Sequence, residues 1–202
     1  MRNTRYILVG AVTLISALVF TTTLVRAFFI PNGEIELPKA VEARAPSAVV
    51  ENTERPARLR VPSIAIDARV EDVGITKTGN MAVPKSFSEV GWYRYGPVPG
   101  QKGSAVFAGH VDNAIALPGV FKKLGEIKIG DEIVVETEGG KALRFVVEEK
   151  QTYPYDQVPA ERLFNRADTA RLNLVTCGGA WIQSEKTYDE RVVVYARLAP
   201  PR

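Results

Sequence analysis

The sequence has little cysteine and histidine: Cys177 is the only cysteine and His110 the only histidine in 202 residues. One cysteine cannot form a disulfide within the chain, and one thiol with one imidazole cannot supply a cysteine- and histidine-rich zinc site. Cys177 must therefore be buried and inert, reactive, or paired with another chain. We expect no cofactor and no metal, although the neighbouring carboxylates of Glu148 and Glu149 leave a calcium site open.

The chain also lacks a large net charge and any long basic run. Its 26 Lys and Arg residues and 23 Asp and Glu residues give a net charge of +3. A nucleic-acid-binding surface needs a basic patch, so we expect no nucleic-acid partner. Hydrophobic residues make up 46% of the chain, which is typical of a folded domain and not of a disordered one.

Only one long stretch, residues 6–25, lacks charged side chains. As a helix it would span about 30 Å, the thickness of a bilayer core. Arg2 and Arg5 precede it without an acidic residue, so the positive-inside rule predicts a cytoplasmic amino terminus and an extracytoplasmic domain. A cleaved signal peptide is the alternative, but the run is longer than a signal core, and the small-x-small triplet at 43–45 lies too far downstream. We predict a single-pass cell-membrane anchor within residues 1–30.

Residues 31–56 have no sustained hydrophobic period. Prolines are interspersed through this stretch, which predicts an extended linker that holds the domain away from the lipid. From residue 57 to 202, short alternating or apolar segments are separated by turns that contain glycine and proline. We expect one folded domain over residues 57–202.

This domain is predicted to be rich in strands. Strands are expected at 59–61, 64–70, 81–84, 104–108, 132–137, 142–148, 172–176 and 192–198, and short helices at 120–124 and 159–164. The segments at 132–137 and 142–148 flank two glycines, which predicts a hairpin. Because strands and helices do not alternate, the pattern favours an all-β, single antiparallel barrel or sandwich.

Three residues at predicted strand ends could carry chemistry. Cys177 follows the strand at 172–176, His110 follows the strand at 104–108, and Arg191 precedes the strand at 192–198. Taken singly, each has an ordinary structural interpretation, since free cysteines are commonly buried and strand-edge arginines are common. If the last two strands pair, however, Cys177 and Arg191 become neighbours.

Together the three residues suit acyl transfer through a thioester. A cysteine attacks as the thiolate, and a nearby imidazolium and guanidinium lower its pKa. The histidine can then protonate the leaving group as a general acid. The arginine supplies fixed positive charge for the oxyanion that forms.

At these residues the sequence resembles the sortase family. Sortases carry a Thr-Leu-x-Thr-Cys pattern, and residues 173–177 read Asn-Leu-Val-Thr-Cys, which departs from it only at Asn173. The family histidine opens a loop after a strand, as His110 does. The family arginine lies on the following strand, as Arg191 does. The His-Val-Asp sequence at 110–112 and the Cys-Gly-Gly sequence at 177–179 are most similar to class F members.

The resemblance implies an eight-stranded β-barrel and a cysteine transpeptidase that cleaves surface proteins at a signal similar to Leu-Pro-x-Thr-Gly. The acyl group would pass from Cys177 to an amine of a cell-wall precursor or of another protein. His110 would be the acid and base, and Arg191 the oxyanion or substrate clamp. Thr176 is expected to line the substrate site. Asp112 is expected either to orient the histidine or to cap the following turn.

Rival functions remain open. A peptidoglycan L,D-transpeptidase usually has an arginine two residues after its cysteine, and this chain has none there. Papain-like enzymes place the cysteine before the histidine, which is the reverse of the order here. A non-catalytic binding module on an anchor would share the fold. Hydrolysis of the thioester by water is a further alternative to transfer.

Overall fold

The computed structural model describes residues 15–16, 35–37, 54–113 and 116–200. The predicted membrane span lies outside the described residues except for Ile15 and Ser16, and most of the predicted linker lies outside them too. In the described part of the chain, no helix is long and apolar enough to cross a bilayer.

Eight strands make up the domain. They are β1 Pro56–Val61, β2 Ile66–Val73, β3 Val90–Tyr93, β4 Gly103–Ala108, β5 Glu132–Thr137, β6 Ala142–Pro154, β7 Ala170–Ile182 and β8 Thr187–Leu198. Short 3₁₀ turns lie at Pro62–Ile64 and Leu124–Glu126, and one helical turn, α1, covers Ala160–Phe164. Pro62 interrupts the alternation between β1 and β2 because it cannot donate to the ladder.

The strands close into a barrel in the order β1-β2-β3-β4-β7-β8-β6-β5. The eight-stranded, nearly all-β barrel is thus confirmed. Six of its pairs are antiparallel, and two are parallel: β2 with β3 and β4 with β7. Parallel neighbours need long crossovers, and the crossover from β4 to β7 contains β5, β6 and α1.

The core has two parts. All eight strands contribute to an interior cluster that includes Trp92, Phe107 and Phe145. A second cluster lies on the other face of β4, β7 and β8, where Leu163 and Phe164 of α1 pack. Because both faces of these strands are covered, β4 is a continuous buried run without polar alternation.

Three predicted elements differ from the structure. Residues 81–84 form no strand; Met81 instead makes isolated bridges with Ile35 and Ile75. Residues 120–124 form a turn that leads into a 3₁₀ turn, and not a helix. The residues 178–190, expected to be a polar loop between the strands predicted at 172–176 and 192–198, mainly continue the β7–β8 hairpin. Its alternation was not visible in the sequence because this end of the hairpin is largely solvent-exposed on both faces.

Candidate active site

The parallel pairing of β4 with β7 brings the histidine and the cysteine to one end of the barrel. Ala108 lies opposite Val175 at the end of the ladder. The pairing continues beyond it, since the Gly109 amide donates to the Val175 carbonyl at 3.2 Å. The Thr176 hydroxyl donates to the Gly109 carbonyl at 2.8 Å. His110 and Cys177 each follow directly on these bonded residues.

Cys177 and Arg191 are cross-strand partners in the β7–β8 hairpin. Pairing of the last two strands predicted this neighbourhood, but both residues lie inside the hairpin and not at strand ends. The register shifts between Gly178 and Trp181, just after the cysteine. Gly179 has a φ of +75°, and a Cβ there would lie 2.0 Å from an Asp189 oxygen, so the irregularity requires glycine.

All three predicted residues line one narrow cavity. The lining consists of Ile35, Val83, Ala108, Gly109, His110, Val175, Thr176, Cys177 and Arg191. Thr176 therefore lies at the cavity as expected, although its hydroxyl is already bonded to Gly109. The arrangement puts a thiol, an imidazole and a guanidinium at one apolar-walled space.

His110 is buried and held from three sides. Its Nε2 donates to the Pro84 carbonyl at 2.7 Å, and the Phe87 ring lies 5.2 Å from the imidazole. A Cβ on Gly119 would lie 2.3 Å from the His110 carbonyl oxygen, so only glycine allows this close approach. Because a carbonyl only accepts, Nε2 carries a proton, and Nδ1 is the nitrogen that can exchange one.

The pKa of His110 lies below its ordinary value because burial disfavours the imidazolium. The hydrogen bond to Pro84 opposes this shift, and so do the charges of Glu71 and Asp112. In the absence of substrate, burial therefore favours the neutral imidazole.

Cys177 is partly buried, and burial raises the pKa of its thiol. The charge of Arg191 lowers this pKa, as the sequence predicts, whereas the charge of Asp112 raises it further. The pKa of the thiol is nevertheless raised overall, because desolvation of the thiolate outweighs the attraction of the guanidinium.

Arg191 is fixed in place by three hydrogen bonds. Its Nη1 donates to the carbonyls of Tyr188 and Glu190, both at 2.9 Å, and its Nη2 donates to the Thr187 hydroxyl at 2.9 Å. Tyr155 lies beside it, with the guanidinium carbon 5.8 Å from the ring centroid. These bonds leave the Nε proton and one Nη2 proton available to a bound molecule.

Asp112 does not orient His110 through a hydrogen bond within the described residues. Its carboxylate instead accepts from the Tyr188 hydroxyl at 2.7 Å and lies 3.5 Å from the Lys122 ammonium. No pattern in the sequence points to Tyr188, because its contact with Asp112 joins two segments that are distant along the chain. Ile35 was also missed, since it belongs to the predicted linker.

No convergent group of three or more histidine, cysteine or acidic side chains occurs in residues 54–113 and 116–200 or the shorter described segments. Glu148 is paired with Arg171 and Arg197, and Glu149 is paired with Arg162. The two carboxylates singled out for calcium are therefore engaged in ion pairs.

Comparisons with known proteins give the family and the fold of this chain. A family model described as the sortase domain matches residues 59–199. A lid mutant of sortase A from Corynebacterium diphtheriae is 18% identical with a TM-score of 0.57 and covers 73% of this chain and 71% of its own. Sortase C-1 from Actinomyces oris is 21% identical with a TM-score of 0.55, covering 72% and 73%.

A third solved structure, the sortase D5 transpeptidase of Clostridium perfringens, is 19% identical with a TM-score of 0.54 and covers 75% of this chain and 83% of its own. A comparison with curated protein sequences found no match. These structural neighbours belong to classes A, C and D, so the class F resemblance stays a prediction. The family model covers most of the domain, and the chain belongs to the sortase family of cysteine transpeptidases.

Proposed function

We propose that this protein is a membrane-tethered transpeptidase that forms a thioester on Cys177. It cleaves a surface protein at a signal similar to Leu-Pro-x-Thr-Gly and transfers the acyl group to an amine of a cell-wall precursor or another protein. The observation that carries the proposal is the single cavity lined by Cys177, His110 and Arg191 in a chain of the sortase family.

Without substrate, the proton shared by Cys177 and His110 resides on the Cys177 sulfur. Burial raises the pKa of Cys177 and lowers that of His110, so the neutral pair predominates over the thiolate–imidazolium pair. Attack therefore starts from a minor population in which the proton has moved from Sγ to His110 Nδ1. Because the two forms exchange rapidly, thiolate that is consumed by attack on a bound peptide is replaced from the neutral pair.

Acylation forms one bond and breaks another. The Cys177 thiolate adds to the scissile carbonyl, and the resulting oxyanion accepts from the free donors of Arg191. The intermediate then collapses, the C–N bond breaks, and the imidazolium gives its proton to the departing amine. The peptide is left as a thioester on sulfur.

Transfer reverses these roles. The acceptor amine attacks the thioester carbonyl and loses a proton to the neutral imidazole, and the thiolate of Cys177 leaves. Water could replace the amine and give hydrolysis. Tethering of both the enzyme and its substrates to one membrane would raise their effective concentration, which favours the reaction without tight binding.

Mass spectrometry of the full chain with a sorting-signal peptide and candidate amines tests the proposal. We expect an adduct on Cys177, then a peptide joined to the amine, and neither product with Cys177→Ala. Hydrolysed peptide without any amine product would identify a peptidase. Absence of an adduct from the wild-type chain across peptide libraries would support the non-catalytic binding module instead.

A further inference from the structure

Tyr188 contacts both the loop that follows His110 and the side chain of Arg191. It lies on β8, and its hydroxyl lies 2.7 Å from both carboxylate oxygens of Asp112, on the loop that follows His110. Its main-chain carbonyl accepts from Arg191 Nη1 at 2.9 Å. One residue therefore contacts both the histidine loop and the arginine.

The ring of Tyr188 is itself held in place. It is the cross-strand partner of Trp181, and the two rings meet edge to face with their centroids 5.3 Å apart. A phenylalanine would keep this ring contact and remove only the hydroxyl. The hydrogen bond to Asp112 can therefore be tested separately from the packing.

The Asp112 carboxylate depends on the Tyr188 hydroxyl for its shortest side-chain hydrogen bonds within the described residues. Its side chain is only 8% exposed, and its second partner, Lys122, lies 3.5 Å away and is 49% exposed. A buried carboxylate is costly unless donors satisfy it, and charge-assisted hydrogen bonds are the stronger ones. Tyr188 is the closer and the less exposed of the two donors.

The charge of Asp112 reaches both reacting groups. It raises the pKa of His110, as does Glu71 from β2, against the effect of burial. It also raises the pKa of Cys177, where Arg191 from β8 acts in the opposite direction. A carboxylate at this point favours the imidazolium that protonates the departing amine, provided that the carboxylate stays where it is.

We propose that Tyr188 is a positioning residue whose hydroxyl fixes Asp112 beside His110 and Cys177, while its main chain helps to hold Arg191. The role in acyl transfer rests on the proposed function. The role in placing the Asp112 charge does not rest on the proposed function, because the effect of that charge on the pKa of Cys177 can be measured without any peptide substrate.

The experiment is a double-mutant cycle on the full chain with Tyr188→Phe, Asp112→Asn and the combined variant. The readout is the rate of Cys177 alkylation by iodoacetamide as a function of pH. Removing the Asp112 charge lowers the pKa of the thiol, so the profile of Asp112→Asn should move to lower pH. Tyr188→Phe should move it in the same direction by less, because a carboxylate that is no longer held keeps its charge but lies on average farther from the thiol. The combined variant should match Asp112→Asn alone.

Peptide cleavage supplies the second readout. Tyr188→Phe should lower kcat about tenfold and leave KM within about twofold, since the hydroxyl acts on the acid and not on the bound peptide. Tyr153→Phe is the matched control, because it removes a tyrosine hydroxyl on β6 that pairs with Tyr195 and not with Asp112. An alkylation profile of Tyr188→Phe that superimposes on the wild-type profile would overturn the proposal. A pH shift of the combined variant equal to the sum of the shifts of the two single variants would overturn it too. Loss of cleavage in every variant including the wild type would count against the proposed function alone.

Discussion

At the scale of single residues, burial and charge oppose each other at the cavity. Cys177 and His110 both have pKa values displaced toward their neutral forms, because desolvation is the largest effect on each. Among the described residues, Arg191 is the one positive charge that acts on the thiol, and its hydrogen bonds fix its position. The reactivity of the thiol therefore depends on where that guanidinium is held.

Arg191→Lys should lower kcat/KM for peptide cleavage by about a hundredfold, which is the order of the effect of losing one oxyanion donor. An ammonium keeps the charge but has only three donors, so it cannot bond at once to the carbonyls of Tyr188 and Glu190, the Thr187 hydroxyl and an oxyanion, as the planar guanidinium can. Steady-state kinetics measure the effect. Arg171→Lys is the control, because Arg171 is also buried and bonded but to Asp168 and Glu148, away from the cavity. Equal activity of Arg191→Lys and the wild type would make Arg191 a purely structural residue.

At the scale of elements, the segment 35–37 differs most from expectation. The sequence places it in an extended linker, yet Ile35 and Leu37 are each only 5% exposed. Ile35 exchanges two backbone hydrogen bonds with Met81, at 2.8 and 3.3 Å, and its side chain lines the cavity that contains Cys177. Both side chains belong to the second hydrophobic cluster, which also contains Val175 and Phe164. This segment therefore covers part of the approach to the thiol.

The double substitution Ile35→Ser and Leu37→Ser should speed alkylation of Cys177 about tenfold and lower KM for peptide. Burial of each side chain contributes about 1.5–3 kcal/mol, and its loss should release the segment from the cavity. Iodoacetamide labelling followed by mass spectrometry measures the rate. Ile129→Ser, at an isoleucine that is 71% exposed, is the control. If the labelling rate does not change, the segment leaves the thiol accessible already.

At the scale of the whole molecule, local patterns predicted the strands better than their arrangement. The hairpin of β5 and β6 and the pairing of Cys177 with Arg191 follow from alternation and from strands that are close in sequence. The convergence of His110 with Cys177 depends on the parallel pairing of β4 with β7, across a crossover that contains β5, β6 and α1, and no periodicity in the sequence predicts such a contact. The direction of the Cys177 pKa shift depends on burial, which also appears only in the closed barrel.

The closed barrel and its covered outer face also determine how the whole fold responds to alkali. Three tyrosines, Tyr93, Tyr188 and Tyr195, have raised pKa values because burial disfavours the phenolate, and that of Tyr93 is raised to about 12. The folded chain therefore keeps protons that the unfolded chain loses near pH 10. By linkage, this stability is present in full below pH 10 and is lost as the pH rises toward the folded-state values.

The wild-type chain should lose unfolding free energy between pH 8 and pH 11, and Tyr93→Phe should make this loss smaller by about 1 kcal/mol. At pH 8 the substitution should change the unfolding free energy by less than about 1 kcal/mol. The hydroxyl of Tyr93 is buried and has no hydrogen-bond partner among the described residues, so phenylalanine removes an unsatisfied group along with the titration. Urea unfolding at the two pH values measures both effects, and tyrosinate absorbance shows whether ionisation accompanies unfolding. An unchanged pH dependence in the variant would mean that water reaches Tyr93 in the folded barrel. The second hydrophobic cluster would then be open to solvent at that tyrosine, and the cover that α1 and the segment 35–37 give to this face would be incomplete.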